Sequence, residues 1–167
     1  MADNIQARAF AHGDIRIRAV HRDDHGQWLP LWHAYNVFYG RPWGQKDEPP
    51  VAPEVTAATW GRFFDDGEPL WALVAERDGM LVGFTHYLFH RNTNMIEPVC
   101  YLEDLFTAEA ARGKGVGRAL IESVCAEARA AGLRRVYWIT HETNKTAQRL
   151  YDQVAERPGY VMYQKDL

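Results

Sequence analysis

Tyr101-Leu-Glu-Asp-Leu-Phe-Thr-Ala-Glu-Ala-Ala-Arg-Gly-Lys-Gly-Val-Gly-Arg-Ala-Leu120 runs from an apolar strand, through a short polar link, into a glycine-rich turn that opens a helix. Glycines let a backbone approach an anion closely. The first turn of a helix leaves N–H groups without intrahelical acceptors, and its dipole favours negative charge there. Arg112, Lys114 and Arg118 add cations around the same turn. The stretch therefore reads as a strand-to-helix crossover with an anion site at the carboxyl end of the strand, where crossovers of this kind place ligands.

Downstream, the apolar spacing predicts a helix over 116–131 ending at Gly132 and a strand over 135–140. A second helix over 144–154 carries Ala147, Leu150, Tyr151 and Val154 on one face, and a last strand over 160–164 follows the Pro158-Gly159 turn. Upstream, the apolar runs 70–76 and 80–89 flank Arg77-Asp78-Gly79, and an Asp-Gly pair between such runs signals a hairpin. With the strand over 99–106 they form an antiparallel meander. Residues 15–20 alternate apolar and charged side chains, as a strand with one buried face does. Asp23 or Asp24 is placed to cap a helix in which Trp28, Leu31, Trp32, Tyr35 and Phe38 recur at three- and four-residue steps as far as Gly40. That half-aromatic face reads as core packing. A loop rich in Pro, Gly and charge is expected over 41–53, a helix over 55–64, and a polar lead-in over 1–14. The whole, residues 1–167, reads as one α+β domain.

At 167 residues and 47% hydrophobic, the chain is long enough to bury a sizeable core. No run of eighteen apolar residues or signal-peptide core is present, so neither a membrane partner nor export is expected, and the cytoplasm is the default location. A net charge of −3 gives no reason to expect a nucleic-acid partner. Cys100 and Cys125 read as reduced, separate thiols. The seven histidines show no metal-ligand spacing, so no metal is expected.

Three glycine-rich patterns compete for the turn. A triphosphate P-loop needs Ser or Thr after its lysine, whereas Gly115 follows Lys114. The dinucleotide fingerprint wants glycines at positions one, three and six, whereas Gly113, Gly115 and Gly117 stand at one, three and five. The third pattern, Arg or Gln, two residues, Gly, one residue, Gly or Ala, is met by Arg112, Gly115 and Gly117. With the preceding Tyr101-Leu-Glu-Asp-Leu-Phe-Thr107 and the later Asn144-Lys-Thr-Ala147-Gln-Arg-Leu150-Tyr151, it resembles the coenzyme A loop of the GNAT superfamily of N-acetyltransferases. Within it, the Tyr-Leu-Glu-Asp strand resembles the histone/polyamine branch, including the spermidine/spermine N-acetyltransferases.

The resemblance implies a mostly antiparallel mixed sheet of six to seven strands, flanked by about four helices and splayed at the strand Val99–Thr107. It implies acetyl-CoA as acetyl donor, with direct transfer to a primary amine on a polyamine, a small basic amine, an amino acid or a basic peptide tail. Backbone groups of Leu105, Phe106 and Thr107 would pair with the pantetheine arm. Arg112, Gly113, Lys114, Gly115, Val116, Gly117 and Arg118 would hold the pyrophosphate, and Asn144 and Ala147 would add further cofactor contacts. Tyr151 would protonate the departing thiolate. Glu103, with Asp104 second, is the candidate to bind the ammonium and relay its proton, since a carboxylate near 4 is a poor direct base for an ammonium near 10.4. The branch also implies a homodimer or homotetramer. A silent acyl-CoA sensor and a transferase of longer acyl groups are the rival readings.

Overall fold

The computed structural model describes residues 9–40, 51–165 and 167. Six strands form one sheet in the order β1 (Ala9–His12), β2 (Ile15–Ala19), β3 (Leu70–Arg77), β4 (Met80–His90), β5 (Val99–Thr107) and β6 (Val136–Tyr137). Neighbours are antiparallel as far as β5, and β6 runs parallel to β5. Helices α1 (His25–Phe38), α2 (Pro53–Arg62), α3 (Val116–Ala130) and α4 (Lys145–Val154) complete a mixed α+β fold. Asp78 and Gly79 both have positive φ, as a two-residue hairpin turn between β3 and β4 requires.

Each face of the sheet carries its own core. On one side, Ile17, Leu73, Tyr87, Cys100 and Leu102 pack under Val116, Leu120, Ile121 and Val124 of α3, with Leu150, Tyr151 and Val154 of α4 at the margin. On the other, Val74, Phe84 and Phe106 pack against Trp28, Trp32 and Tyr35 of α1 and Phe63 just past α2. The entry to α1 is pinned by Arg18, which donates to both oxygens of Asp24 at 2.7 and 2.9 Å and to Glu76 at 2.8 Å. Asp24 also accepts from the His21 N–H at 2.7 Å.

Three expectations are corrected. The segment expected as a lead-in over 1–14 contains β1, which folds back on β2 through Gly13 at φ +66°. The strand expected over 135–140 pairs with β5 only at Val136 and Tyr137, because the chain then diverges from the sheet. No strand forms over 160–164; Tyr160, Val161, Met162 and Tyr163 lie exposed, with no neighbouring strand among the described residues to pair with. The expected loop over 41–53 falls outside the described residues as far as residue 50, and its end is taken up by the start of α2. Both cysteines are free thiols, Cys100 buried and Cys125 half-buried.

Candidate active site

β5 organises the site because its two edges differ. One edge pairs with β4 along the length of the strand, whereas the other meets β6 only at Cys100 and Tyr101. Beyond Tyr101, no strand among the described residues occupies that second edge, so the backbone of Leu105, Phe106 and Thr107 borders an opening in the sheet. The splay expected at this strand is therefore present.

The β4–β5 register breaks between His86 and Tyr87. His86 lies opposite Asp104 and Tyr87 opposite Leu102, so Glu103 is an extra residue, a β-bulge. The bulge keeps Leu102 on the α3 side and turns Asp104 and Phe106 to the tryptophan side. Glu103 itself is exposed at the bulge, while Asp104 is buried. The Asp104 carboxylate is engaged by His86 Nδ1 at 2.9 Å, and His86 Nε2 accepts from Trp28 Nε1 at 3.2 Å. The indole can only donate, so the neutral imidazole carries its proton on Nδ1 and donates it to Asp104.

The glycine turn follows after a short 3-10 turn over Glu109–Ala111. Gly113 and Gly115 have φ of +74° and +86°, a region that other residues enter only with strain. Gly115 is the N-cap of α3, and no side chain caps that helix. The backbone N–H groups of Val116, Gly117 and Arg118 thus open the helix, with the Val116 side chain buried in the core. A Cβ on Gly117 would stand 3.2 Å from Leu150 Cδ2 and 3.7 Å from Thr107 Oγ1, so the end of β5, the start of α3 and the side of α4 converge here. Lys114 is exposed. Arg112 Nε donates to the Thr107 carbonyl at 3.2 Å with its guanidinium 6.0 Å from the Phe38 ring, and Arg118 donates to Gln153.

On the far side of the opening, Asn144 caps α4, its Oδ1 accepting from the Ala147 N–H at 3.3 Å and its amide donating to Thr140 Oγ1 at 3.3 Å. Tyr151 is half-buried and packs edge-on to Trp138 at 5.4 Å. Burial first, and then Tyr39, raise its pKa well above the ordinary phenol, so it stays protonated at neutral pH. The sequence reading gave no role to Trp138 and did not pair His86 with Asp104, and it counted Phe38 as core although Phe38 stands exposed beside Arg112. Local periodicity does not pair His86 with Asp104 or Trp138 with Tyr151, because those contacts depend on the β4–β5 register and on how α4 packs beside the end of β6.

These features fit a long ligand with an anionic end: an open strand edge to pair with an amide-bearing arm, an uncapped glycine-built helix start for phosphates, and a protonated phenol nearby. Among the described residues no group of three or more His, Cys, Asp or Glu is placed to hold a metal.

The family model for the acetyltransferase (GNAT) family matches residues 28–155. The D-amino-acid N-acetyltransferase HPA3 of Saccharomyces cerevisiae is 37% identical over 165 residues, 98% of each chain. An uncharacterised N-acetyltransferase of Bacillus subtilis, YhfO, is 31% identical over 89% of this chain and 95% of its own. Among solved structures, the aminoglycoside N-acetyltransferase AAC(6')-Iy in complex with CoA superposes with a TM-score of 0.74 at 20% identity, over 95% of this chain and 96% of its own, a likeness of fold. The chain belongs to the GNAT family of acetyltransferases.

Proposed function

We propose that the chain transfers an acetyl group from acetyl-CoA directly to the primary amine of a small molecule, an amino acid or a comparably short amine. The observation that carries this is the open edge of β5 leading, through a 3-10 turn over Glu109–Ala111 and the glycine turn, to the uncapped start of α3. Leu105, Phe106 and Thr107 pair with the pantetheine arm as an added strand would, and the N–H groups from Gly113 to Arg118 receive the pyrophosphate. Lys114 supplies a cation to the phosphates, and Arg112 and Arg118 do so by leaving Thr107 and Gln153. Asn144 and Ala147 fix the start of α4 beside the thioester. Acetyl-CoA brings an activated thioester carbonyl, and the residues do the rest by orientation and proton handling.

Glu103 is the carboxylate presented to the ammonium, and Asp104 stands behind it holding His86. Tyr151 faces the departing thiolate. Ordinary thiols titrate at about 8.5 and an ordinary phenol at about 10, so full proton transfer from a phenol raised further is uphill by more than about 2 kcal/mol. Tyr151 therefore acts first as a hydrogen-bond donor to the thiolate. The choice of a small amine is supported by HPA3, which is similar over nearly its whole length and is named a D-amino-acid N-acetyltransferase.

Thiol release from acetyl-CoA over D- and L-amino acids, ornithine, spermidine, putrescine and histone-tail peptides tests the reading. Free amino acids or short amines should turn over faster than peptides. Turnover confined to peptides would overturn the acceptor class, and coenzyme A binding without turnover of any amine would leave a sensor. In the same reading the protein works in the cytoplasm as a homodimer or homotetramer, a second copy covering Tyr160, Val161, Met162 and Tyr163, which are 65–91% exposed. Light scattering should find an assembly that dissociates when the chain is truncated after Gly159. An intact assembly after truncation would place the interface elsewhere.

A further inference from the structure

His90 ends β4 and Tyr137 ends β6, on opposite sides of β5. His90 Nδ1 lies 2.9 Å from the Arg91 carbonyl oxygen, and His90 Nε2 lies 2.9 Å from the Tyr137 hydroxyl. A carbonyl only accepts, so Nδ1 bears the proton in the neutral ring, Nε2 is the acceptor, and the Tyr137 O–H donates to it. The two rings meet edge-on at 5.8 Å, and Tyr137 stacks on Tyr101 at 4.9 Å. Tyr101 immediately precedes Leu102 and the Glu103 bulge, and Tyr137 is the last residue of β6 before the sheet opens. The hydroxyl thus stands at the rim of the opening, and its hydrogen bond to His90 is exposed to solvent.

The reaction needs such an exit. An alkyl ammonium near 10.4 gives its proton to a carboxylate near 4.3 against an equilibrium of about six powers of ten, but to an imidazole near 6.5 against about four. We propose that His90, acting through the Tyr137 hydroxyl, is the route by which the acceptor ammonium loses its proton. The inference rests on the acetyltransfer reading above. Water held at Glu103 takes the proton as the ammonium N–H bond breaks. That water passes a proton to the Tyr137 oxygen, the Tyr137 O–H proton moves to His90 Nε2, and the imidazolium gives one proton to bulk water. The lone pair left on nitrogen forms the new bond to the carbonyl carbon, and the C–S bond of the thioester breaks with its electron pair leaving on sulfur as the thiolate, to which the Tyr151 hydroxyl donates. Burial first, and then the Glu103 charge, raise the Tyr137 pKa, so the phenol relays a proton without resting as phenolate. The charged and titratable groups facing His90 are Arg91 beside it and Tyr137 from β6, with Tyr101 and Glu103 of β5 behind Tyr137.

His90 touches no substrate, so the decisive readout is the pH profile of kcat/KM for the amine, measured with His90→Gln, His90→Ala and Tyr137→Phe. The wild type should show an ascending limb as pH rises. Each variant should lose that limb and fall about 10- to 100-fold at pH 7, a fraction of the range for general-base loss, with KM for acetyl-CoA unchanged within about twofold. Added imidazole should restore His90→Ala and leave Tyr137→Phe unrestored. Wild-type turnover with the same limb in all three variants, or absence of imidazole rescue, would overturn the relay alone. No turnover by the wild type with any amine would overturn the acetyltransfer reading and the relay with it.

Discussion

The contact between Asp104 and His86 predicts that substituting this carboxylate costs stability rather than catalysis. His86 is 1% exposed and fixed at both nitrogens, with Nε2 accepting from Trp28 at 3.2 Å and Nδ1–H donating to Asp104 at 2.9 Å. Its ring cannot turn to find another acceptor without losing Trp28. Asp104→Ala leaves a buried N–H unpaired, which costs about 1–3 kcal/mol, and it also empties part of the site; a total near 3 kcal/mol follows. At about 2–4 °C per kcal/mol for a domain of this size, Tm should fall by about 6–12 °C. Asp104→Asn keeps an oxygen where Nδ1–H points, so it should cost about 1 kcal/mol and about 2–4 °C. Thermal unfolding followed by circular dichroism reads the stability, and thiol release reads kcat/KM. If Asp104 holds His86, the Asn variant keeps kcat/KM within about threefold. If Asp104 is the base, the Asn variant loses about 10²- to 10⁴-fold with little change in Tm, and that result would refute the reasoning.

Gly117→Glu sets a carboxylate in the first turn of α3, against a Leu150 methyl that can yield; it should fold with near-native circular dichroism and lose at least about 100-fold in coenzyme A affinity by calorimetry, and wild-type affinity would remove the pyrophosphate from this turn. Gly83→Ala brings a Cβ to 2.6 Å from the Phe106 carbonyl oxygen, where backbone must move, so denaturant unfolding should show a loss of about 2–3 kcal/mol. At Asp24, burial would raise the pKa, but the hydrogen bonds from Arg18 and from the His21 N–H outweigh it and hold the value below the ordinary carboxylate. The stabilisation is therefore present above the unfolded-state value of about 3.9 and is lost as pH falls below it. Asp24→Asn should cost about 2 kcal/mol at pH 7, below the roughly 3–5 kcal/mol of a fully buried pair, and should flatten the acid limb of stability in urea titrations below about pH 4.

What could be read in advance was local. The Asp78-Gly79 turn, the span of α3 and the glycine turn that opens it each follow from a few adjacent residues whose backbone demands are specific. The unread part depends on register and on pairing across the sheet. Strict alternation cannot show that Glu103 is an extra residue, so it cannot show that Asp104 turns inward to His86 while Glu103 stays in solvent. The 135–140 segment has strand composition throughout, yet only two of its residues find a partner, and that shortfall is what opens the edge of β5. The 160–164 segment likewise has strand chemistry, yet among the described residues it pairs with no strand. His90 and Tyr137 are 47 positions apart in the chain and meet only because β4 and β6 flank β5.

The most direct test of the central claim is a single turnover with acetyl-CoA radiolabelled in the acetyl group, quenched and separated into protein, acceptor and thioester. Direct transfer in the opening beside β5 predicts that the label leaves the thioester and appears on the nitrogen of the amine, with none retained by the protein at any time, and that Tyr151→Phe slows this appearance without weakening coenzyme A binding. Label accumulating on the protein before it reaches the amine, or a thioester that stays intact in the presence of every amine tested, would contradict it.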